Sequence, residues 1–260
     1  LLLALMVTLV VAGCTGPVPQ AVVEAPRGTV HAATPARGEE TARLLETVLP
    51  CLRGTLPGLS TQRHLEIHVN EERIAPEDGG VWCLGTSEIL SPERARIHAT
   101  VDASFRGTLA HECAHALLDG PWERLTLPLE EGLAAWAAAQ CDPRERVDTA
   151  MLAAGVVGDL LGGLSCTFSY GEQRTLVLRS TAASVVNYPA SPVDLERLLR
   201  GTDAQGRPVP HPDALAGRWL AYVVVTKVAQ AEGIAALYAA CRDAARSGPA
   251  VPVDVRRILE

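Results

Sequence analysis

The chain has 260 residues, which is enough for one large domain with a substantial hydrophobic core or for two small ones. Hydrophobic residues make up 48% and charged residues 20%, a balance typical of globular proteins and not of disordered ones. The formal net charge of −7 leaves no excess of basic residues for the phosphates of DNA or RNA, so we expect no nucleic-acid partner.

The chain opens with an apolar run, residues 1–12, that ends at Gly13 and Cys14. A dozen apolar residues fall short of the roughly 20 that a membrane-spanning helix needs but fit the core of a signal peptide. The end of the run, Val-Ala-Gly-Cys, resembles the bacterial lipobox, whose cysteine is acylated and becomes the new N-terminus. No Met or basic segment precedes the run, so we expect the chain to begin partway into the signal.

The lipobox resemblance implies that residues 1–14 are a signal with the lipidated Cys14, and that the protein is exported and anchored in the bacterial cell envelope. Thr15 follows the cysteine in place of the Asp of inner-membrane retention signals. This favours the outer membrane if the bacterium has two membranes. The alternative is a chance cysteine after an apolar stretch.

Residues 15–38 are rich in Pro, Gly, Ala and Thr and show no sustained apolar period, so we interpret them as a flexible tether in which His31 is solvated. The folded domain is then predicted over residues 39–260. An even number of cysteines in an exported chain predicts disulfides of unknown pairing. The six that remain after Cys14 are Cys51, Cys83, Cys113, Cys141, Cys166 and Cys241.

After one short helix, the sequence predicts strands first and helices afterwards. Leucines and a valine at helical spacing predict a helix over residues 44–49, which Pro50 helps to end. Partial alternation predicts short strands at 64–69, 80–84 and 94–100. From Ser104 onward the pattern predicts helices at 104–118, 128–141, 144–161, 173–187, 192–200, 213–231, 233–245 and 253–259, with a loop at 161–173. This order indicates an α+β fold with a small N-terminal mixed sheet.

The strongest chemical signal is His111-Glu112-Cys113-Ala114-His115, inside an apolar helical stretch. Four residues are slightly more than one helical turn, so both imidazoles project from the same face and can bind one Zn²⁺. Glu112 follows the first of them, so its carboxylate can hold and deprotonate a metal-bound water without being a ligand. A helix whose polar residues satisfy one another is the alternative.

A catalytic zinc ion needs a third protein ligand, and two carboxylates open the next predicted helix in Leu129-Glu130-Glu131-Gly132-Leu133-Ala134. The two motifs together resemble the gluzincin metallopeptidases, in which H-E-x-x-H is followed by a helix carrying E-G-apolar-A and the Glu before Gly is the third ligand. The resemblance makes Glu131 that ligand, 16 residues after His115. Because Glu130 replaces a residue that is often Asn, either carboxylate remains a candidate.

The gluzincin resemblance implies a zincin-like fold that holds one Zn²⁺ and cleaves a peptide or protein substrate, with Glu112 as the catalytic base. It also implies that the strand at 94–100 is the sheet edge lining the substrate cleft, and that Gly132 lets two helices approach closely. Ala135 occupies the position where thermolysin-like enzymes carry an Asp that orients a zinc-bound His. No transition-state donor is recognisable; the candidates are Tyr188, Tyr222 and His211.

Two other functions remain open at this stage. A catalytically inactive zincin-like lipoprotein would act as a peptide- or partner-binding module, and a zinc amidase or esterase would use the same chemistry on another bond. Cys113 is expected to be buried or disulfide-bonded, with Cys141 on the adjacent helix as the plausible partner. His64 and His68 would be about 13 Å apart along a strand, too far to share an ion, so we predict that they are surface or cross-strand residues. His98 is expected to be an ordinary sheet residue, with the cleft as the alternative.

Overall fold

A computed structural model describes residues 21–71, 84–146, 149–150, 153, 166–170, 174–178, 197–203, 205–208 and 211–247. A mixed sheet forms the N-terminal part and helices dominate the rest, which confirms the predicted α+β class. The signal segment, Cys14 and residues 15–20 lie outside the described residues.

Five strands form the main sheet in the order β1-β2-β3-β5-β4. They are β1 (Ala21–Ala25), β2 (Gly28–Ala32), β3 (His64–Asn70), β4 (Gly85–Ser91) and β5 (Arg94–Thr100). Strands β2, β3 and β5 run parallel, whereas the edge strands β1 and β4 are antiparallel to their neighbours. The predicted strands at 64–69 and 94–100 are therefore confirmed, and the one at 80–84 lies outside the described residues except for Leu84.

The position of β5 corrects one expectation. The strand at 94–100 is interior, because β3 pairs with one side of it and β4 with the other. The sheet edge on this side is β4, which the sequence pattern did not predict because its side chains are mostly polar and exposed.

The predicted tether is wrong for residues 21–38. Residues 21–32 form the β1–β2 hairpin, and helix α1 (Pro35–Thr55) follows directly. Of the Pro and Gly residues here, only Pro26 lies in the turn between the two strands, whereas Gly28 belongs to β2 and Pro35 and Gly38 belong to α1. Val30 and Ala32 are buried in the core. His31 accordingly lies in β2 instead of in a solvated linker.

Helix α1 also continues past Pro50 to Thr55. Proline normally weakens the interior of a helix. Here Leu49 and Leu52, on either side of it, are both buried in the core, and this packing holds the last turn in place.

The helices below the sheet are α2 (Phe105–Leu117), α3 (Leu127–Cys141), α4 (His211–Ala231) and α5 (Ile234–Ser247), with a 3₁₀ helix at Gly120–Arg124. They match the predicted helices at 104–118, 128–141, 213–231 and 233–245 to within about two residues, as expected for helix ends. Residues 143–146 and 197–200 are helical as well. Most of the predicted helix at 144–161, part of that at 192–200 and all of that at 253–259 lie outside the described residues.

A second hairpin corrects the prediction of helices throughout the C-terminal half. Strands β6 (Cys166–Tyr170) and β7 (Arg174–Leu178) pair antiparallel, where a loop and the start of a helix had been expected. Both segments are rich in β-branched and aromatic residues, which favour strands. The rest of the predicted helix at 173–187 lies outside the described residues.

One hydrophobic core joins the helix-facing side of the sheet to α1, α2, α3 and α4. A disulfide between Cys51 and Cys141 links α1 to α3. The expected burial of Cys113 is confirmed, but its pairing with Cys141 is wrong, because Cys51 lies opposite Cys141 and the Cys113 thiol is free. Among the described residues no single helix is long and apolar enough to cross a membrane; α4 and α5 meet that test only together, as a pair bent by 109°.

Candidate metal centre

Helix α2 brings His111, Glu112 and His115 to the interior of the protein, where His111 and Glu112 are buried and His115 is partly buried. Its C-terminus is fixed by Arg63, whose Nη1 donates to the carbonyl oxygens of Ala116 (2.9 Å) and Leu118 (3.0 Å). A cation at the carboxyl end of a helix satisfies terminal carbonyls and opposes the helix dipole. The helix that carries the two histidines is therefore held in place at its C-terminal end.

Two imidazoles and one carboxylate converge between α2 and α3. The Nε2 atoms of His111 and His115 are 3.2 Å apart. Oε1 of Glu131 is 3.3 Å from Nε2 of His115, and Oε2 is 3.5 Å from Nε2 of His111. Ligands at about 2.0–2.1 Å from a tetrahedral zinc ion are separated by about 3.4 Å from one another. The three donors are therefore spaced as a zinc ion requires, and the site fits the metal.

Glu130 contacts the other side of the same imidazole. Nδ1 of His115 donates to Oε1 of Glu130 at 2.8 Å, so the ring presents Nε2 to Glu131. A carboxylate behind a ligating histidine fixes its tautomer and orientation. The two neighbouring carboxylates therefore have different positions, since Glu131 faces both Nε2 atoms and Glu130 contacts Nδ1 of His115. Glu130 orients His115, which Ala135 cannot do because its side chain has no polar atom.

Burial and mutual hydrogen bonds shift the pKa values of His111, His115 and Glu131. Burial lowers the pKa of His111 to about 4, despite its hydrogen bond with Glu131. Burial also disfavours a charged His115, but the hydrogen bonds to Glu130 and Glu131 outweigh it and raise the pKa of His115 to about 10. Burial is likewise outweighed at Glu131, where hydrogen bonds from both histidines hold the pKa of the carboxyl far below its usual range. Without metal, one proton on His115 thus partly neutralises the carboxylates.

Glu112 points from α2 toward the first residues of the edge strand β4. Its carboxylate is hydrogen-bonded to the Ser87 side chain, and a Cβ at Gly85 would lie 2.7 Å from its Cγ and 2.8 Å from Oε1. Only glycine at position 85 leaves room for this carboxylate. Burial raises the pKa of Glu112 to about 7, although His115 favours the ionised form. A carboxyl group with a pKa near neutrality is well suited to general acid–base catalysis.

Helix α4 packs against α3 and brings an arginine close to Glu131. A Cβ at Gly132 would lie 2.5 Å from the carbonyl carbon of Ala221, so the backbones of α3 and α4 are in close contact here, as expected from the motif resemblance. One turn earlier on α4, Nη1 of Arg218 lies 3.4 Å from Oε2 of Glu131, and its guanidinium stacks over the Trp219 ring. Arg218 is therefore a cation at the rim of the metal site.

Of the three candidate transition-state donors, only Tyr222 has a described side chain. Tyr222 is buried and its side chain is hydrogen-bonded to Thr226, and the charged groups that act on it are Arg146 and Glu145, not the groups of the metal site. His211 begins α4, but its side chain is not described, and Tyr188 lies outside the described residues.

Sequence reasoning missed Ser87, Gly85 and Arg218 as neighbours of the site. Each is far along the chain from the residue it contacts, and no local pattern marks these contacts. A single serine, glycine or arginine carries no signal of its own in one sequence.

The described residues contain two His/Glu groups that can hold a metal ion: the triad of His111, His115 and Glu131, and a second group of His31, Glu66 and His68. No model of a known protein family matches this chain, and no curated protein was found that is significantly similar to it.

Proposed function

We propose that this protein is a zinc-dependent hydrolase, a zincin-like metallopeptidase that cleaves peptide bonds. The observation that carries the proposal is the spacing of His111, His115 and Glu131, whose donor atoms lie 3.2–3.5 Å from one another. Glu112 adds a buried carboxylate next to this triad that is not one of its donors. Two imidazoles and one carboxylate are the protein ligands of many catalytic zinc sites, in which a fourth position stays open.

The chain's own residues have separate roles in this proposal. A bound zinc ion supplies a Lewis acid that acidifies water and polarises a carbonyl group. Glu112 takes the proton from the attacking water and passes it to the leaving amine. Glu130 keeps His115 oriented, and Arg218 offers a cation for the negative charge that develops on the substrate oxygen.

The edge strand β4 supports a peptide as the substrate. Among the described residues its backbone pairs with β5 alone, and at its start Gly85 and Ser87 lie against Glu112. An extended peptide can add to such an edge through main-chain hydrogen bonds. Ile89 and Leu90 on the same strand are exposed and offer apolar contacts for side chains of the peptide. A peptide bound there would pass beside the general base.

The direct test is proteolysis of a fluorescence-quenched peptide library by the zinc-loaded full chain. We expect cleavage that a chelator abolishes, that added zinc restores, and that Glu112→Gln reduces by at least about 10³-fold while zinc content is unchanged. Glu123→Gln is the matched control, since Glu123 is exposed on the 3₁₀ helix, and it should retain full activity. Zinc binding without cleavage of any peptide would contradict the peptidase proposal and favour the binding module.

We further propose that the protein is held at the bacterial envelope by acylation of Cys14. The support is the apolar run and the Val-Ala-Gly-Cys sequence alone. Expression with a complete signal and metabolic labelling with a fatty acid should label the wild-type chain but not Cys14→Ser. Equal labelling of the two proteins, or none of the wild type, would overturn this part of the proposal.

A further inference from the structure

A second group of chemically active side chains lies on the opposite face of the main sheet, away from the helices. Three histidines occupy neighbouring strands: His31 on β2, His68 on β3 and His98 on β5. They are in register, since His31 pairs with His68 and His68 pairs with His98. Residues that alternate with them, such as Ile67 and Ile97, are buried in the core, so the histidines point to the other side. The prediction that His68 is a surface or cross-strand residue is confirmed, since it lies opposite His31 and His98.

The three rings form a stack across the sheet. The ring centroids of His31 and His68 are 4.6 Å apart, and those of His68 and His98 are 4.8 Å apart. These distances follow from the spacing of neighbouring strands, about 4.8 Å, so stacking by itself says little about a ligand. The informative feature is the carboxylate that accompanies the rings.

Glu66 lies two residues before His68 on the same face of β3. Its Oε1 accepts a hydrogen bond from Nε2 of His68 at 2.8 Å. Arg94 and Arg96 approach the same carboxylate, each at 3.3 Å. Glu66 thus places a negative charge next to the histidine stack, on a sheet face that is only partly exposed.

Donor atoms of His31, Glu66 and His68 lie within 4.8 Å of one another. Ligands of one zinc or copper ion are separated by about 3.4 Å, so the widest of these separations must shorten by at most about 1.4 Å, while Glu66 and His68 are already 2.8 Å apart. Rotation of the imidazoles about Cβ–Cγ accomplishes this at low cost, because that torsion has a broad minimum. The arginines oppose a cation, but their long side chains are at least one-third exposed and are free to turn toward solvent.

We propose that His31, Glu66 and His68 form a second metal site, the outer-face site, which binds a divalent transition-metal ion of the class that prefers imidazole, with Zn²⁺ and Cu²⁺ as the best matches. Imidazole nitrogens select such ions over Mg²⁺ and Ca²⁺, which prefer oxygen. This inference does not depend on the proposed peptidase activity, because the outer-face site shares no residue with the site on α2 and α3.

The test is zinc stoichiometry of the full chain by equilibrium dialysis. We expect two zinc ions per wild-type chain and one per chain of His68→Gln or of His31→Gln. His64→Gln is the matched control: His64 lies on the same strand and the same face but is exposed and outside the site, so this variant should still bind two. The variant His111→Gln should also bind one ion, and His111→Gln with His68→Gln should bind none, which separates the two sites.

A spectroscopic measurement guards against loss of fold. One equivalent of Cu²⁺ added to His111→Gln should give an electron paramagnetic resonance spectrum with hyperfine coupling to imidazole nitrogens, and His68→Gln in the same background should lose it while its circular dichroism is unchanged. The inference is overturned if His68→Gln and His31→Gln bind as much zinc as His64→Gln, or if the wild-type chain binds no more zinc than His68→Gln does.

Discussion

Replacement of Gly132 by alanine tests whether the close approach of α3 and α4 builds the metal site. The new Cβ would lie 2.5 Å from the carbonyl carbon of Ala221 and 2.6 Å from the amide nitrogen of Tyr222, whereas ordinary contact begins at 3.4 Å. Because both obstacles are backbone atoms, no rotamer change relieves them, and the helices must separate by about 0.9 Å, the difference between 3.4 Å and 2.5 Å.

The expected cost follows from two opposing effects. Overpacking of this kind destabilises proteins by about 1–3 kcal/mol, and the helix propensity of alanine returns up to about 1 kcal/mol. Since the clash is with backbone, we expect Gly132→Ala to lower the free energy of unfolding by about 1–2 kcal/mol, or the melting temperature by about 2–8 °C. Glu131 is the preceding residue, so zinc affinity should fall as well.

Urea denaturation of the full chain in excess chelator measures the stability change without a contribution from bound metal. Gly54→Ala is the matched control, because Gly54 lies in helix α1 and a Cβ there meets no atom within 4 Å. That variant should be neutral or slightly stabilised. If Gly132→Ala is as stable as Gly54→Ala and binds zinc like the wild type, the reasoning about the helix contact is refuted.

Three further results are expected. Glu131→Gln should reduce zinc affinity by at least about 10³-fold because a ligand loses its charge, whereas Glu130→Gln should reduce zinc affinity by about 10–100-fold. Equal losses of affinity in a zinc titration would contradict the positions assigned to the two carboxylates. Gly85→Ala should lower kcat at least about 10-fold with zinc content unchanged, since the added methyl displaces Glu112, the proposed general base. An unchanged kcat would show that Glu112 does not need this room. Without metal, the stabilising charge on His115 is fully present below pH 6.5 and is lost as the pH rises through about 10, so the free energy of unfolding should fall over this range in chemical denaturation. Bound zinc should remove this pH dependence. The same alkaline slope in the zinc-loaded chain would contradict the role of His115 as a ligand.

The parts of the site that could be predicted from sequence are those that local geometry determines. His111 and His115 share a face of α2 because four residues make about one helical turn, and the apolar residues around them predict that helix. Helix α3 and strands β3 and β5 follow from similar periodic patterns. The α+β class follows from their order along the chain.

The parts that could not be predicted depend on pairing between distant segments. Strand β4 is polar and exposed, so its alternation carries little signal, yet it borders Glu112. The Pro- and Gly-rich composition before Glu39 resembles a tether, although tertiary pairing turns it into a hairpin. In the same way, the sequence places Cys51 and Cys141 far apart, and only the packing of α1 on α3 brings them together.

The histidines of the outer-face site show the same limit. Alternation within β3 predicts which side His68 takes relative to its neighbours, but its position opposite His31 and His98 depends on strand order and register. Likewise, Glu130 and Glu131 are adjacent in sequence, and only the crossing of α3 over α2 gives one the Nδ1 side of His115 and the other the Nε2 side.

The central claim is that His111, His115 and Glu131 hold a zinc ion, and diffraction from zinc-soaked crystals at the zinc absorption edge tests it most directly. The account predicts an anomalous peak about 2.0–2.2 Å from the Nε2 atoms of both histidines and from a Glu131 carboxylate oxygen, with Glu130 still hydrogen-bonded to His115. A zinc-soaked crystal with no peak between α2 and α3 would contradict it, even if zinc were bound on the outer face of the sheet.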